Sequence, residues 1–271
     1  MPLFFLWRYI MDFQKLMQTG EGIESLKENL LDLDSEFRFK CRRCGKCCKN
    51  QNTILFNARD IFNIAKKLNM TTQQVIATCA EVYIGRNSKI PIVHMVPCGP
   101  KNACPLLADD GRCRVHDCKP TVCALFPLGR VMVKSDPEAT SSSPEGMTVK
   151  YIINDITCGS AKKVNTVRSW LARFGIPEYD EFFYLWTDLI TYLHRSICTL
   201  EKHACSDQTM NLIWNAFYSE LYIHYDTSEE FMPQFKRNMD TLKKLCDGIE
   251  ELDALVSGDG APDDAGTSEA P

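Results

Sequence analysis

The sequence predicts an α+β protein in which a cysteine-rich metal or cluster module, with short strands and two helices, is followed by a C-terminal helical bundle or cap. Three observations support this fold class. Residues 41–48 have the pattern CxxCxxCC, a density of thiols that indicates a metal or cluster site. Short runs of apolar residues, separated by Pro and Gly, continue to residue 160. From residue 161 onward Trp, Phe, Tyr and Leu recur at three- and four-residue spacing, which is typical of packed helices.

The composition excludes several classes of protein. The 271 residues are 45% hydrophobic and 24% charged, as in ordinary soluble proteins. A net charge of −4 argues against nucleic-acid binding as the main function. Fourteen cysteines in a long chain without a recognisable signal peptide favour reduced thiols and a cytoplasmic location. The opening run MPLFFLWRYIM is too short to span a bilayer, so we expect no stable membrane insertion; Met11 is an alternative start.

We divide the chain into four regions. Residues 1–20 are an N-terminal extension, and residues 21–160 form the cysteine-cluster metal-binding domain. Residues 161–256 are the helical region, which offers a surface for a protein partner. Residues 257–271 contain no large apolar residue, so we predict a disordered acidic tail.

The first elements follow from apolar periodicity and capping residues. Residues 21–36 predict a short amphipathic helix or a loop, and residues 37–40 a brief strand that enters the cysteine motif. The run TILF, residues 53–56, predicts a strand. Asn57 is a suitable N-cap for a helix over residues 58–69.

A second helix is predicted over residues 71–85, capped by Thr71 or Thr72. Cys79 lies on its apolar side and is interpreted as a core residue. Residues 89–98 then resemble a strand interrupted by prolines. His94, within that run, is interpreted as a core or edge histidine.

The CxxCxxCC motif itself predicts a metal-binding knuckle. Two-residue gaps let a tight turn direct thiolates toward one centre, and Gly45 can supply the left-handed backbone that the turn needs. CxxCxxC also begins the bacterial iron–sulfur ligand run. Cys47 and Cys48 are adjacent, and in an extended backbone their side chains would point in opposite directions. We therefore expect a second metal centre, or a second wall of one larger site.

The second cysteine-rich stretch is residues 98–130. Asp110-Gly111 is a hairpin-type turn signal that can bring Cys104 and Cys113 together. Pro120 suits the first turn of a short helix that carries Cys123, where the helix dipole would favour the thiolate, and Pro127 ends that helix. His116 is left open as a ligand or as a residue that orients one.

A predicted hairpin with a long polar tip covers residues 131–157. It delivers Cys158 and Gly159, and a glycine at this position would let the backbone pass close to a cluster.

Four helical stretches are predicted in the C-terminal region, at residues 163–174, 178–203, 207–224 and 228–255. Four cysteines on apolar helix faces are interpreted as packing residues: Cys79, Cys198, Cys205 and Cys246. His194 shares a helix face with Cys198, and His203 is nearby, but packing is the simpler interpretation of this group.

The order CxxCxxCC, CPLLxxDGRCRVH, KPxxCALFP and a later Cys-Gly resembles the YkgJ-type cysteine-cluster family, described as a zinc- or iron-chelating domain. The resemblance covers about residues 37–160. It implies eight metal-binding thiols: Cys41, Cys44, Cys47, Cys48, Cys104, Cys113, Cys123 and Cys158. Cys98 and Cys118 fall outside the pattern, and His116 and Lys119 stand where the family commonly has tyrosine and arginine.

Three functions remain open from the sequence. The first is a cytoplasmic protein that binds zinc or an iron–sulfur cluster, such as 4Fe-4S, in a structural or electron-handling role. The second is an iron–sulfur-assisted protein methyltransferase, since a related cysteine cluster occurs in flagellin lysine methylases; no separate S-adenosylmethionine motif is present. The third is a zinc-stabilised interaction module.

Eight thiolates exceed the four that one tetrahedral zinc or one cubane cluster takes. We therefore predict two centres, or one of high nuclearity. The first would use Cys41, Cys44 and one of the adjacent pair. The other adjacent cysteine would join the four downstream thiols at the second, and one of those four would complete the first.

Overall fold

The computed structural model describes residues 29–51, 54–134, 146–154, 156, 158–202 and 205–257. Its strands are β1 (Glu36–Lys40), β2 (Leu55–Phe56), β3 (Ala80–Ile84), β4 (Pro91–Met95), β5 (Leu128–Lys134), β6 (Met147–Ile153) and β7 (Ser160–Thr166). Its helices are α1 (Ala58–Leu68), α2 (Thr72–Cys79), α3 (Thr121–Leu125), α4 (Val167–Arg173), α5 (Glu181–Lys202), α6 (Asp207–Tyr218) and α7 (Phe231–Ser257). The predicted N-terminal extension (residues 1–20) and residues 258–271 of the predicted tail lie outside the described residues, whereas Ser257 is the last residue of α7.

The described strands form small antiparallel sheets. β1 pairs with β7, β5 pairs with β6, and β4 lies between β2 and β3. Helices and small antiparallel sheets in one chain agree with the predicted α+β class. The β5–β6 pair confirms the predicted hairpin, whose tip lies outside the described residues.

Several predicted boundaries are confirmed by local hydrogen bonds. Asn57 caps α1 in a reciprocal capping box with Asp60, and Thr71 caps α2 in the same way with Gln74. The long C-terminal helices α5 and α7 follow the predicted stretches, and α6 continues into a π-helical turn at Ser219–Ile223. Within 21–36, residues 29–35 are turns, with an isolated bridge between Leu31 and Tyr151.

Two helix predictions extend too far. Helix α2 ends at Cys79, because the β-branched and aromatic run Val82-Tyr83-Ile84 pairs with β4 instead of continuing the helix. The predicted helix over 163–174 begins only at Val167, since the preceding residues form β7 on the edge of β1. In both cases pairing with a distant strand decides the structure.

The main hydrophobic core joins the cysteine-rich part of the chain to the C-terminal helices. Buried side chains from residues 54–115 pack with Trp186 and Leu193 of α5, Phe217 of α6 and Phe235 of α7. Hydrogen bonds cross the same boundary as well. Thr72 Oγ1 donates to the Ile223 carbonyl at 2.7 Å, and the Trp214 indole donates to the Lys89 carbonyl at 2.9 Å. The division at residue 160 stays a prediction.

A smaller aromatic core supports β1 beside the cysteine motif. Phe37 and Phe39 meet Trp170 edge to face, each with ring centroids 5.7 Å apart. The Trp170 indole donates to the Leu125 carbonyl at the end of α3. This cluster therefore fixes the strand that leads into the first cysteines.

A buried ion network also joins the two parts of the chain. Asp180, just before α5, accepts two hydrogen bonds from Arg59 of α1 at 2.8 and 2.7 Å, and one from Arg130 of β5 at 3.0 Å. The Arg130 guanidinium also stacks 3.6 Å from the Phe183 ring centroid. In the described part of the chain, no helix is both long enough and apolar enough to cross a membrane.

Candidate metal centre

One cavity of about 360 Å³ is lined by every thiol that the sequence predicted as a ligand. The eight are Cys41, Cys44, Cys47, Cys48, Cys104, Cys113, Cys123 and Cys158. They come from the CxxCxxCC loop, the 104–113 turn, helix α3 and a position two residues before β7. The structure thus brings together side chains separated by more than a hundred positions in sequence.

The CxxCxxCC loop is a tight knuckle. Gly45 has a φ of 68°, as predicted, and Lys46–Cys48 form a single 3-10 turn. The Cys48 amide donates to the Gly45 carbonyl at 3.0 Å. The expectation that Cys47 and Cys48 face opposite ways is wrong. Because the backbone is helical here and not extended, both thiols line the same cavity, with their sulfurs 3.9 Å apart.

Backbone hydrogen bonds join the knuckle to the second cysteine stretch. The Cys104 amide donates to the Cys48 carbonyl at 2.8 Å, and the Asn50 amide donates to the Asn102 carbonyl at 2.8 Å. The predicted turn at Asp110-Gly111 is confirmed by an antiparallel bridge between Leu107 and Cys113. The reversal places Cys104 and Cys113 on the walls of one cavity.

Asp60 positions the helix that carries Cys123. Its Oδ1 accepts hydrogen bonds from the amide and the hydroxyl of Thr121 at 2.8 and 2.7 Å, while Oδ2 accepts from the Asn57 amide at 3.2 Å. The carboxylate therefore ties the start of α1 to the start of α3. Sequence reasoning missed this role, although the spacing of Asn57 and Asp60 is a capping-box signal.

Cys158 is fixed by the close packing of the next residue. Gly159 has a φ of +79°, and a Cβ there would lie 2.4 Å from Cε2 of Phe39 and 2.9 Å from the Lys40 carbonyl oxygen. The backbone at Gly159 thus approaches β1 closely; its approach to a cluster stays a prediction.

Residues 40–145 match the family described as "CxxCxxCC: Putative zinc- or iron-chelating domain". This segment is therefore similar to that family of domains. It includes all the predicted ligand cysteines except Cys158, which lies beyond the match. No curated protein and no solved structure matches the chain. The family match supports binding of zinc or iron by this part of the molecule.

Burial makes three of the thiols that line the cavity difficult to ionise: Cys104, Cys123 and Cys158. Burial raises the pKa of Cys104 to about 11, and burial with the nearby Cys47, Cys44 and Cys41 thiols raises the pKa of Cys158 to about 11. Burial also raises the pKa of Cys123, so the effect expected from the α3 dipole does not prevail. Binding of a metal at neutral pH therefore has to release protons.

The side chains around the cavity include types that bind zinc and iron. Within the described residues, no three His, Cys, Asp or Glu side chains converge closely enough to hold one ion. The eight predicted ligand cysteines line the walls of one cavity. Their chemistry suits zinc and iron–sulfur clusters. The ligand roles of the eight cysteines stay a prediction.

The other six cysteines do not line this cavity. Cys79 and Cys246 are buried in the main core, and Cys205 packs against it. Cys198 lies 3.6 Å from His194 Nε2 on α5. Two further cysteines do not line the cavity: exposed Cys98 and half-buried Cys118.

Two other residues that the sequence left open do line it. His116 and Lys119 both face the thiols, with Lys119 lowering the pKa of Cys123 against the larger effect of burial. His94 lies on the middle strand of the three-stranded sheet, with its ring 5.1 Å from that of Tyr83.

Proposed function

We propose that this protein binds zinc or iron through the eight cysteines of the cavity, as two metal–thiolate centres or one polynuclear centre such as an iron–sulfur cluster. The observation that supports this most directly is that all eight thiols line one cavity. Neither the family match nor the cavity adds support for methyl transfer or for a zinc-stabilised interaction module.

The residues of the cavity have separate tasks in this proposal. The knuckle at Lys46–Cys48 presents two sulfurs 3.9 Å apart, close enough to share one centre or to bridge two. The Arg43 amide donates to the Cys41 sulfur at 3.4 Å, which stabilises negative charge on that sulfur. Lys119 favours the thiolates of Cys113 and Cys123. A bound metal or cluster would supply structural cross-linking or electron transfer.

The test is metal analysis with an absorption spectrum on protein purified without oxygen. We expect either two zinc ions, or iron and sulfide in cluster ratio, with all eight thiols protected from an alkylating reagent. A brown protein indicates an iron–sulfur cluster and a colourless one indicates zinc. Zinc or iron in substoichiometric amounts after reconstitution would contradict the proposal.

Two variants make the test specific to the cavity. Cys47→Ser removes a sulfur that lines it, and we expect a clear loss of bound metal. Cys118→Ser is the matched control, because Cys118 is half-buried nearby but does not line the cavity. Equal metal loss in both variants would show that the cysteines act through folding and not as ligands. One zinc or four irons per loaded chain, with some of the eight thiols reactive, would contradict the two-centre arrangement.

A further inference from the structure

The cysteine cavity is also lined by cationic side chains. Arg42, Arg43 and Lys119 all line it. None of the three forms an ion pair with an acidic side chain in the described part of the chain, whereas a fourth cation, Arg112, lies 3.7 Å from Asp110. The local charge contrasts with the net charge of −4 of the whole protein.

The backbone at Arg43 has a conformation that is common at functional sites. Arg43 has a φ of 53°, a left-handed conformation that non-glycine residues adopt at a cost and that often marks functional positions. Its amide is held by the Cys41 sulfur. The hydrogen bond to the predicted ligand Cys41 therefore also fixes the position of the Arg43 backbone.

Lys119 also lines the cavity. Its ammonium lies 4.8 Å from the Phe174 ring centroid, and it is half-buried, so its position is restricted by packing. His116 also lines the cavity, and after burial the charges that lower its pKa most are those of Lys119 and Arg43. Lys119 and Arg43 thus both line the cavity and both act on His116.

We propose that the cysteine cavity binds a small anionic molecule through a carboxylate or phosphate group held by Arg43 and Lys119. Guanidinium groups bind both oxyanions in bidentate fashion, and ammonium groups bind them as point charges. The anion site lies in the same cavity as the proposed metal site. It depends on the cationic side chains, which the metal analysis does not test.

The test is calorimetric titration of the metal-loaded, full-length protein with inorganic phosphate and with succinate, each compared with sodium chloride at equal ionic strength. We expect saturable binding of at least one of the two, and the stronger binder identifies the oxyanion. Arg43→Gly keeps the left-handed backbone and removes the guanidinium, so it is expected to fold normally. It should weaken binding at least about tenfold, as should Lys119→Gln, because each loses a charge-assisted hydrogen bond.

Lys46→Gln is the matched control. Lys46 is exposed on the same knuckle but does not line the cavity, so binding should change by less than about twofold. The proposal is overturned if neither anion binds saturably, or if Lys46→Gln weakens binding as much as Arg43→Gly. It is also overturned if the two cavity variants lose metal in proportion to anion binding, because the cations would then serve the thiolates alone. Metal content of the wild type, measured separately, tests the proposed function.

Discussion

Replacing Gly159 by alanine is expected to destabilise the protein by about 2–5 kcal/mol, through two effects that add. The first is backbone strain. Gly159 has a φ of +79°, and a left-handed conformation costs a residue with a Cβ about 1–2 kcal/mol. The second is a steric clash, because the new Cβ would lie 2.4 Å from Cε2 of Phe39 and 2.9 Å from the Lys40 carbonyl oxygen.

The clash cannot be relieved cheaply. The Phe39 ring is buried and packs edge to face with Phe126 and Trp170, with centroids 5.7 Å away in each case. The Lys40 oxygen belongs to the backbone of β1. Overpacking of such a site costs about 1–3 kcal/mol in addition to the strain.

Gly99→Ala separates the two effects. Gly99 also has a positive φ, of 67°, but a Cβ there would meet nothing within 4 Å. It should lose only the strain energy, about 1–2 kcal/mol. The assay is urea unfolding of metal-loaded protein under anaerobic conditions at fixed metal concentration, with unchanged slope as the check on two-state behaviour. If Gly159→Ala is destabilised no more than Gly99→Ala, the close approach of Gly159 to β1 is wrong.

Three further predictions concern residues outside the cavity. Asp180→Asn should lower the free energy of unfolding by about 3–5 kcal/mol, because it leaves Arg130 buried without its charge partner; exposed Asp109→Asn should change it by less than about 0.5 kcal/mol. Burial of Asp180 favours its neutral form, but Arg59 and Arg130 hold its pKa below the ordinary value of 3.8. The Asp180 carboxylate therefore contributes to the free energy of unfolding above that value, and this contribution is lost as the pH falls through the lower pKa of the folded state. In urea unfolding from about pH 6 to about pH 2, the stability difference between wild type and Asp180→Asn should therefore shrink; a constant difference would contradict this. Cys246 is fully buried on α7, so Cys246→Ser should destabilise the protein and leave the metal content per folded chain unchanged. Metal loss from folded protein would show that Cys246 is more than a packing residue.

Local sequence signals predicted much of the site because their physics is local. Gly45 takes the left-handed conformation that the knuckle needs, and the Asp110-Gly111 turn reverses the chain between Cys104 and Cys113. Asn57 caps α1 with its own side chain. Each of these features depends on a few neighbouring residues, so the sequence was sufficient to find it.

Other features depended on partners far away in the chain. Val82-Tyr83-Ile84 became a strand because β4 was available to pair with it, and β7 replaced the start of a predicted helix because β1 was. The orientation of Cys47 and Cys48 was mispredicted because it followed from an assumed extended backbone. The spacing of apolar residues along the sequence could not reveal which distant strand would pair with these residues in place of a helix.

By itself, the sequence determined which residue types are available for metal binding: eight thiols in a family-like order, and the turns that expose them. Only the tertiary structure placed all eight on one cavity, added Arg43 and Lys119 to its walls, and joined the cysteine-rich part to the helices through Asp180. The reason is physical. Ligand type and turn geometry are set within a few residues, whereas the shape and charge of a cavity depend on contacts between segments whose separation in sequence carries no information about their distance in space.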